Sequence, residues 1–242
     1  MLRPQLWTIP APPPSVYDAL AAKTDRLRRR LHEAAAAHKN VKLASSLAVE
    51  DMVITHLIAA EKLPIAVFTL QTGRLNAETL ALIDEVAQRY SDLDFRCYTP
   101  LSDDVAAYVA QHGENAFYES VALRRECCRI RKIEPLNRAL ADADAWLTGQ
   151  RREQSVTRST LPFAETDTAR GIAKYNPIFD WTEHDVWAFV LQNGIPYNGL
   201  YRQGYPSIGC EPCTMPVKAG QDIRAGRWWW ESRDSKECGL HK

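Results

Sequence analysis

The sequence lacks an excess of either charge: 30 Lys and Arg are matched by 30 Asp and Glu. A general nucleic-acid binder carries a basic surplus, so composition argues against that class. It also lacks any apolar run approaching the roughly 18 residues that a membrane helix needs. Its first residues, Met1-Leu2-Arg3-Pro4, lack the apolar stretch of a secretory signal. No membrane partner and a cytoplasmic location are therefore expected, in a compartment where thiols stay reduced. Internal repeats are absent. So is the Gly-Lys-Ser/Thr ending of a P-loop, which argues against a standard ATPase or kinase.

What is present is an ordinary globular mixture. The 242 residues are 45% hydrophobic and 25% charged, enough chain for a large core. Residues 1–14 hold five prolines and read as an irregular arm. A helix is expected from Ser15, its cap, to about His38. Strand-like runs at Val41–Ala44, Ile65–Leu70, Leu93–Tyr98 and Ala145–Thr148 then alternate with helical patterns at Glu50–Lys62, Asn76–Tyr90 and Asp103–His112. A further helix over Glu119–Leu140 is expected to break before Pro135. Such alternation predicts an α/β fold, a single domain with a mostly parallel sheet flanked by helices. The domain is bounded at 15–192, where a helix capped by Thr182 ends near Gln192. A turn-rich, irregular extension follows over 193–242, with glycines from Gly194 to Gly239.

Open parallel sheets bind ligands at the carboxyl ends of their strands. Three polar segments fall there: Ser45-Ser-Leu-Ala-Val-Glu-Asp51, Gln71-Thr-Gly-Arg74 and Gly149-Gln-Arg-Arg-Glu-Gln-Ser155. Hydroxyls and free amides at a helix start suit an anion. Arg74, Arg151 and Arg152 offer forked contacts to it. Ordinary turns with solvated arginines explain any one of these loops; three at one sheet edge favour a nucleotide or another anionic ligand.

Six cysteines in a reducing compartment need a role other than disulfides. Cys127 and Cys128 are adjacent, Cys210 and Cys213 form Cys-Glu-Pro-Cys, and Cys97 and Cys238 stand apart. Cys97 reads as a small apolar strand residue. Two local pairs can bind zinc, form a redox dithiol, or bind nothing. Adjacent side chains diverge, which suits the separate iron corners of a cubane better than a zinc knuckle. Residues 124–132 carry five basic side chains and one acidic one, a setting that favours an anionic cluster over a plain solvated face. Cys238 lies five residues from the end, where Lys236, His241 and Lys242 favour its thiolate and Gly239 permits a bend. An incidental exposed cysteine accounts for it equally well on those residues alone.

From about residue 40 onward the chain resembles the assimilatory adenylyl-sulfate (APS) reductases, the iron–sulfur branch of the phosphoadenylyl-sulfate (PAPS) reductase family. The tandem Cys127-Cys128, the Cys210-x-x-Cys213 pair and Glu237-Cys-Gly-Leu-His241 together carry that resemblance. Thr148-Gly-Gln-Arg-Arg-Glu-Gln-Ser155 and Asp222-Ile-Arg-Ala-Gly-Arg-Trp-Trp-Trp230 add to it. Gln71 departs from the pattern, since the family commonly has Asp there. The resemblance implies an adenine nucleotide alpha hydrolase-like fold and one 4Fe-4S cluster on Cys127, Cys128, Cys210 and Cys213, with no flavin or nicotinamide. It implies attack by Cys238, the catalytic residue on a mobile tail, on the sulfur of APS. AMP departs, and thioredoxin or a glutaredoxin-like reductant releases sulfite, in sulfate assimilation. Lys132, Arg224, Arg227, His241 and Arg158 are implied at the sulfate and phosphate end. Ser45, Ser46, Thr72, Gly73, Arg74, Gly149 and Arg152 complete the implied substrate contacts. Trp228, Trp229 and Trp230 are expected to pack the extension onto the domain. A homo-oligomer is implied. Acceptance of PAPS as well, a non-catalytic redox sensor and a zinc-bearing nucleotide hydrolase stand as alternatives.

Overall fold

The computed structural model describes residues 5–155 and 158–232. Its helices are α1 (Pro14–Ala37), α2 (Val49–Ala60), α3 (Ala77–Arg89), α4 (Ser102–His112), α5 (Val121–Cys128), α6 (Glu134–Ala139) and α7 (Glu183–Gln192). Its strands are β1 (Val41–Ala44), β2 (Ile65–Leu70), β3 (Phe95–Tyr98), β4 (Ala145–Leu147), β5 (Ala164–Asp167) and β6 (Ile172–Tyr175). The strands form one sheet in the order β3-β2-β1-β4-β6-β5, parallel except for β5. β1, β2 and β4 are largely apolar because helices cover both of their faces; Lys42 of β1 is the charged exception, its ammonium held by the Ala139 carbonyl and Asp142. Val41 is in register with Ile65 on one side and Ala145 on the other. The main core gathers Leu27 and Leu31 of α1, Met52, Val53 and Ile54 of α2, and Trp187 of α7 around Leu43 and Val67.

Several local expectations are corrected. The cap of α1 is Pro13, with Pro14 at the first helical position and Ser15 already inside. Proline fits there because its missing N–H would be unpaired in any case. Cys97 is exposed, since β3 is an edge strand with one flank unpaired. The β5–β6 hairpin went unread because its alternation is charged. Glu165 pairs with Lys174 directly opposite it, Oε1 to Nζ at 3.0 Å.

The helix expected over 119–140 does not break before Pro135; it widens. Residues 129–133 form a π-turn in which the Glu134 N–H bonds to the carbonyl of Arg129, five residues back. Proline has no N–H and crowds the preceding turn. A wide turn absorbs that misfit, and such turns recur at functional sites. Here it lies between Cys127-Cys128 and α6 and contains Lys132.

The arm and the extension hold each other. Leu6 forms an antiparallel bridge with Lys218, the Trp7 N–H bonds to the Val217 carbonyl at 2.8 Å, and the Ala219 N–H bonds to Gln5 at 2.9 Å. Among the described residues no helix is long and apolar enough to cross a membrane.

Candidate active site

β1 is bonded to β2 on one side and β4 on the other, so connections leave it in opposite directions. Strand order reverses there, and a crevice opens at the carboxyl ends of the strands. A pocket of about 260 Å³ occupies it. Phe68, Leu70 and Leu136 supply apolar lining; Ser45, Ser46, Thr72 and Gly149 bring polar loop groups to the same space.

The loop after β1 is organised from below by Asp51. Its Oδ2 accepts the N–H and the Oγ–H of Ser46, both at 2.7 Å. The Gly149 N–H also bonds to Asp51. One carboxylate thus braces two loops. A Cβ on residue 149 would meet Asp51 Oδ1 at 2.3 Å, so only glycine fits. Burial pushes the Asp51 carboxyl up to about 6, against the pull of the Ser46 bonds. Its neighbour Glu50 is ion-paired inside the protein. Glu50 Oε1 accepts Arg151 Nη2 at 2.8 Å and Gln154 Nε2 at 3.1 Å. Gln154 in turn accepts from Arg158, which lines the pocket.

The opposite wall comes from the extension and the π-turn. Arg224 and Arg227 of the extension and Lys132 of the π-turn all line the pocket. Arg227 Nη1 donates to the Ile208 carbonyl at 3.0 Å, and its guanidinium lies 4.9 Å from the centre of the Trp228 ring. Gly209 makes room for it: a Cβ there would sit 2.4 Å from Arg227 Nη2.

Beside this wall lies a second, smaller cavity lined by Cys127, Cys128, Cys210 and Cys213, together with Arg74, Arg124, Arg131 and Lys132. Cys210 and Lys132 line both cavities. Thr72 Oγ1 is 3.2 Å from Cys210 Sγ. Burial, then the neighbouring Cys128, pushes the Cys127 thiol up to about 11, while Arg131 opposes the rise. Burial, then Cys210, pushes Cys213 up to about 12, while Lys132 opposes it.

The donor set fits an iron–sulfur group. Four thiols on two separate elements face one space, with cations around them to balance an anionic cluster. The buried indole Nε1–H of Trp228 has no partner among the described residues and packs against Cys128, Cys210 and Cys213, where sulfur acceptors would satisfy it.

A family model described as the phosphoadenosine phosphosulfate reductase domain matches residues 40–216. The chain belongs to the phosphoadenosine phosphosulfate reductase family. It is 62% identical over 242 residues to the adenosine 5'-phosphosulfate reductase of Neisseria meningitidis serogroup B, covering 100% of this chain and 98% of that protein. It is 61% identical over 222 residues to the protein of the same name from Burkholderia cepacia, covering 92% and 88%. The crystal structure of phosphoadenylyl-sulfate reductase from Candida auris superposes with a TM-score of 0.69 at 25% identity, covering 86% of this chain and 100% of that one. Yeast FAD synthetase shares the fold alone, with a TM-score of 0.58 at 14% identity, 86% of this chain and 70% of that one.

In this reductase-family chain, eight of the implied substrate residues share the larger pocket: Ser45, Ser46, Thr72, Lys132, Gly149, Arg158, Arg224 and Arg227. Three lie elsewhere. Arg74 bonds to Glu114 and Asn115, stacks on Phe117 and faces the cysteine cavity. Gly73 turns the chain at φ +75° beneath Arg131. Arg152 donates to the Leu161 carbonyl and stacks on Phe179. Arg151, read as an anion contact, is held by Glu50. Cys238 and His241 lie outside the described residues. Gln71 caps its own turn, its Oε1 accepting the Gly73 N–H. An amide oxygen does this as well as a carboxylate. Trp228 is buried and lines the larger pocket as well as packing, while Trp229 is exposed. Sequence reasoning missed Asp51 and Glu50 as braces. Their signal was two acids opening the helix after a Ser-rich loop, which favourable helix charge alone accounts for.

Proposed function

We propose that this protein reduces APS to sulfite and AMP, with Cys238 as nucleophile and a thioredoxin- or glutaredoxin-like dithiol protein as reductant. The names of its relatives support the substrate. The observation that carries the reading is the shared wall: Lys132 and Cys210 belong both to a nucleotide-sized pocket and to the four-thiol cavity. Apolar lining from Phe68 and Leu136 takes the adenine, and the Ser45, Ser46 and Gly149 loops take the ribose and phosphate. Lys132, Arg224 and Arg227 take the sulfate end, where negative charge moves as the bond breaks.

The Cys238 thiolate attacks the APS sulfur. An S–S bond forms, the S–O bond to phosphate breaks, and AMP leaves with the bonding pair. One thiolate of the reductant then attacks Cys238 Sγ and expels sulfite. Its second thiol resolves the mixed disulfide and restores Cys238. Sulfur gains two electrons and the dithiol loses two. A 4Fe-4S cluster on Cys127, Cys128, Cys210 and Cys213 supplies, when bound, a fixed charge and a tie between α5 and the 210–213 turn. The cations of this chain offset repulsion between thiolate and sulfate on approach.

Replacing Cys238→Ser is expected to abolish sulfite release from APS while leaving iron content unchanged. Wild-type protein given APS without reductant is expected to carry a sulfonate on Cys238, read by peptide mass spectrometry. Sulfite production by the serine variant would overturn the mechanism. Rates with APS and PAPS measured side by side assign the nucleotide.

A further inference from the structure

Arg124 occupies an unusual place for a cation. It is 0% exposed, one helical turn before Cys128 on α5, and it hydrogen-bonds the Cys128 side chain. Its fork also closes on Glu231, which is 3% exposed: Nε to Oε1 and Nη2 to Oε2, both 2.8 Å. The guanidinium lies 4.7 Å from the centre of the Trp228 ring. Trp228 stands at φ +41°, in the left-handed region that bulky residues avoid. Such a conformation persists only where its surroundings over-determine it. They do so here. The Trp228 N–H bonds to the Cys213 carbonyl at 3.0 Å, the Glu231 N–H bonds to the Trp228 carbonyl at 2.9 Å, and Arg124 and Arg227 lie against the ring.

We propose that Arg124 and Glu231 are positioning residues that latch the start of the Cys238-bearing tail to the thiol-bearing helix, so that the state of the four-cysteine site governs how firmly residues 228–232 are held. This rests on the reading of the four cysteines as ligands and of Cys238 as nucleophile. The coupling follows from connectivity. Arg124 and Cys128 share α5, Trp228 hangs on Cys213, and whatever joins Cys128 to Cys213 closes a ring through Arg124 and Glu231. The reach of the tail follows too. Seven residues run from Glu231 to Cys238, so a fixed Glu231 confines Cys238 to within about 25 Å. With the latch open, the next backbone anchor is Trp228, ten residues away, through its N–H bond to the Cys213 carbonyl. The longer tether lowers the effective concentration of Cys238 at the pocket about two- to threefold.

The test compares hydrogen exchange of the 226–232 peptide in wild type and Glu231→Gln, each with iron bound and after chelation. The substitution is expected to speed exchange at least about tenfold in the iron-bound protein, because it strands a buried guanidinium. It should lower kcat about two- to threefold while the KM for APS, AMP affinity and iron content hold. Chelation should speed the same segment in wild type and add nothing in the variant, since each change opens the same ring. Wild-type exchange in Glu231→Gln, or full additivity with chelation, overturns the latch. Should Glu231→Gln fail to fold, Arg124→Lys, which keeps the charge and loses the fork, gives the same comparison. A wild type that makes no sulfite overturns the functional reading alone, because exchange reads the latch without turnover. A wild type isolated without iron overturns the coupling.

Discussion

Asp51 shows how one residue can set the chemistry of a loop. Its carboxyl, ordinarily at 3.8, is raised to about 6 by burial. Between those values the folded protein holds a proton that the unfolded chain has released, so stability falls as pH rises from about 4 to about 6. The braces run the other way. Above about pH 6 the carboxylate accepts the Ser46 and Gly149 bonds; below it, a protonated acid gives up acceptor capacity. Affinity for adenosine, which has no group titrating near pH 6, is therefore expected to drop as pH falls through about 6, followed by titration calorimetry. Asp51→Asn should remove that dependence and flatten the stability slope between pH 4 and 6, read by urea unfolding. The four paired cysteines and the loop hydroxyls were legible as residues of interest because their types are rare or clustered. Asp51 was not, since nothing local says that an acid at a helix start faces inward.

At the scale of elements, helices and central strands were legible because apolar periodicity marks them. The β5–β6 hairpin and the docking of the amino-terminal arm were not. The hairpin alternates charge, and the arm is held by backbone bonds to Val217 and Ala219 that any side chains permit. Gly204 is the exception, because its role is steric. It stands at φ +87°, and a Cβ there would lie 2.9 Å from Cβ of Leu6. Gly204→Ala is expected to cost about 1–3 kcal/mol in denaturant unfolding. About 1 kcal/mol of that loss, the cost of the left-handed backbone, should remain after deletion of residues 1–9, while the steric part against Leu6 should not.

Over the whole molecule, the extension completes a site that the sheet begins. Arg224, Arg227 and the 210–213 turn close a pocket whose other half is the β1, β2 and β4 loops. The cysteine set is the joint between these halves, since α5 supplies one pair and the extension the other. Cys210→Ser is expected to lose bound iron and to weaken AMP binding by about tenfold or more, because Lys132 and Arg227 lose a fixed wall. Iron assay and calorimetry check both. Unchanged AMP affinity in iron-free protein would show that the pocket stands without the joint.

The amino-acid sequence by itself determined the fold class and the family, because hydrophobic period and rare cysteine spacings are local and survive without coordinates. It also marked eight of the residues that line the pocket, because residue types suited to anions end up at strand ends. Tertiary structure decided which of those residues share one space. Arg74, Arg151 and Arg152 are as basic as Arg158, yet Glu114, Glu50 and Phe179 hold them in other roles. Burial and partnership are properties of the packed chain. They turn Asp51 into a brace, and they join Arg124 to an acid 107 residues away.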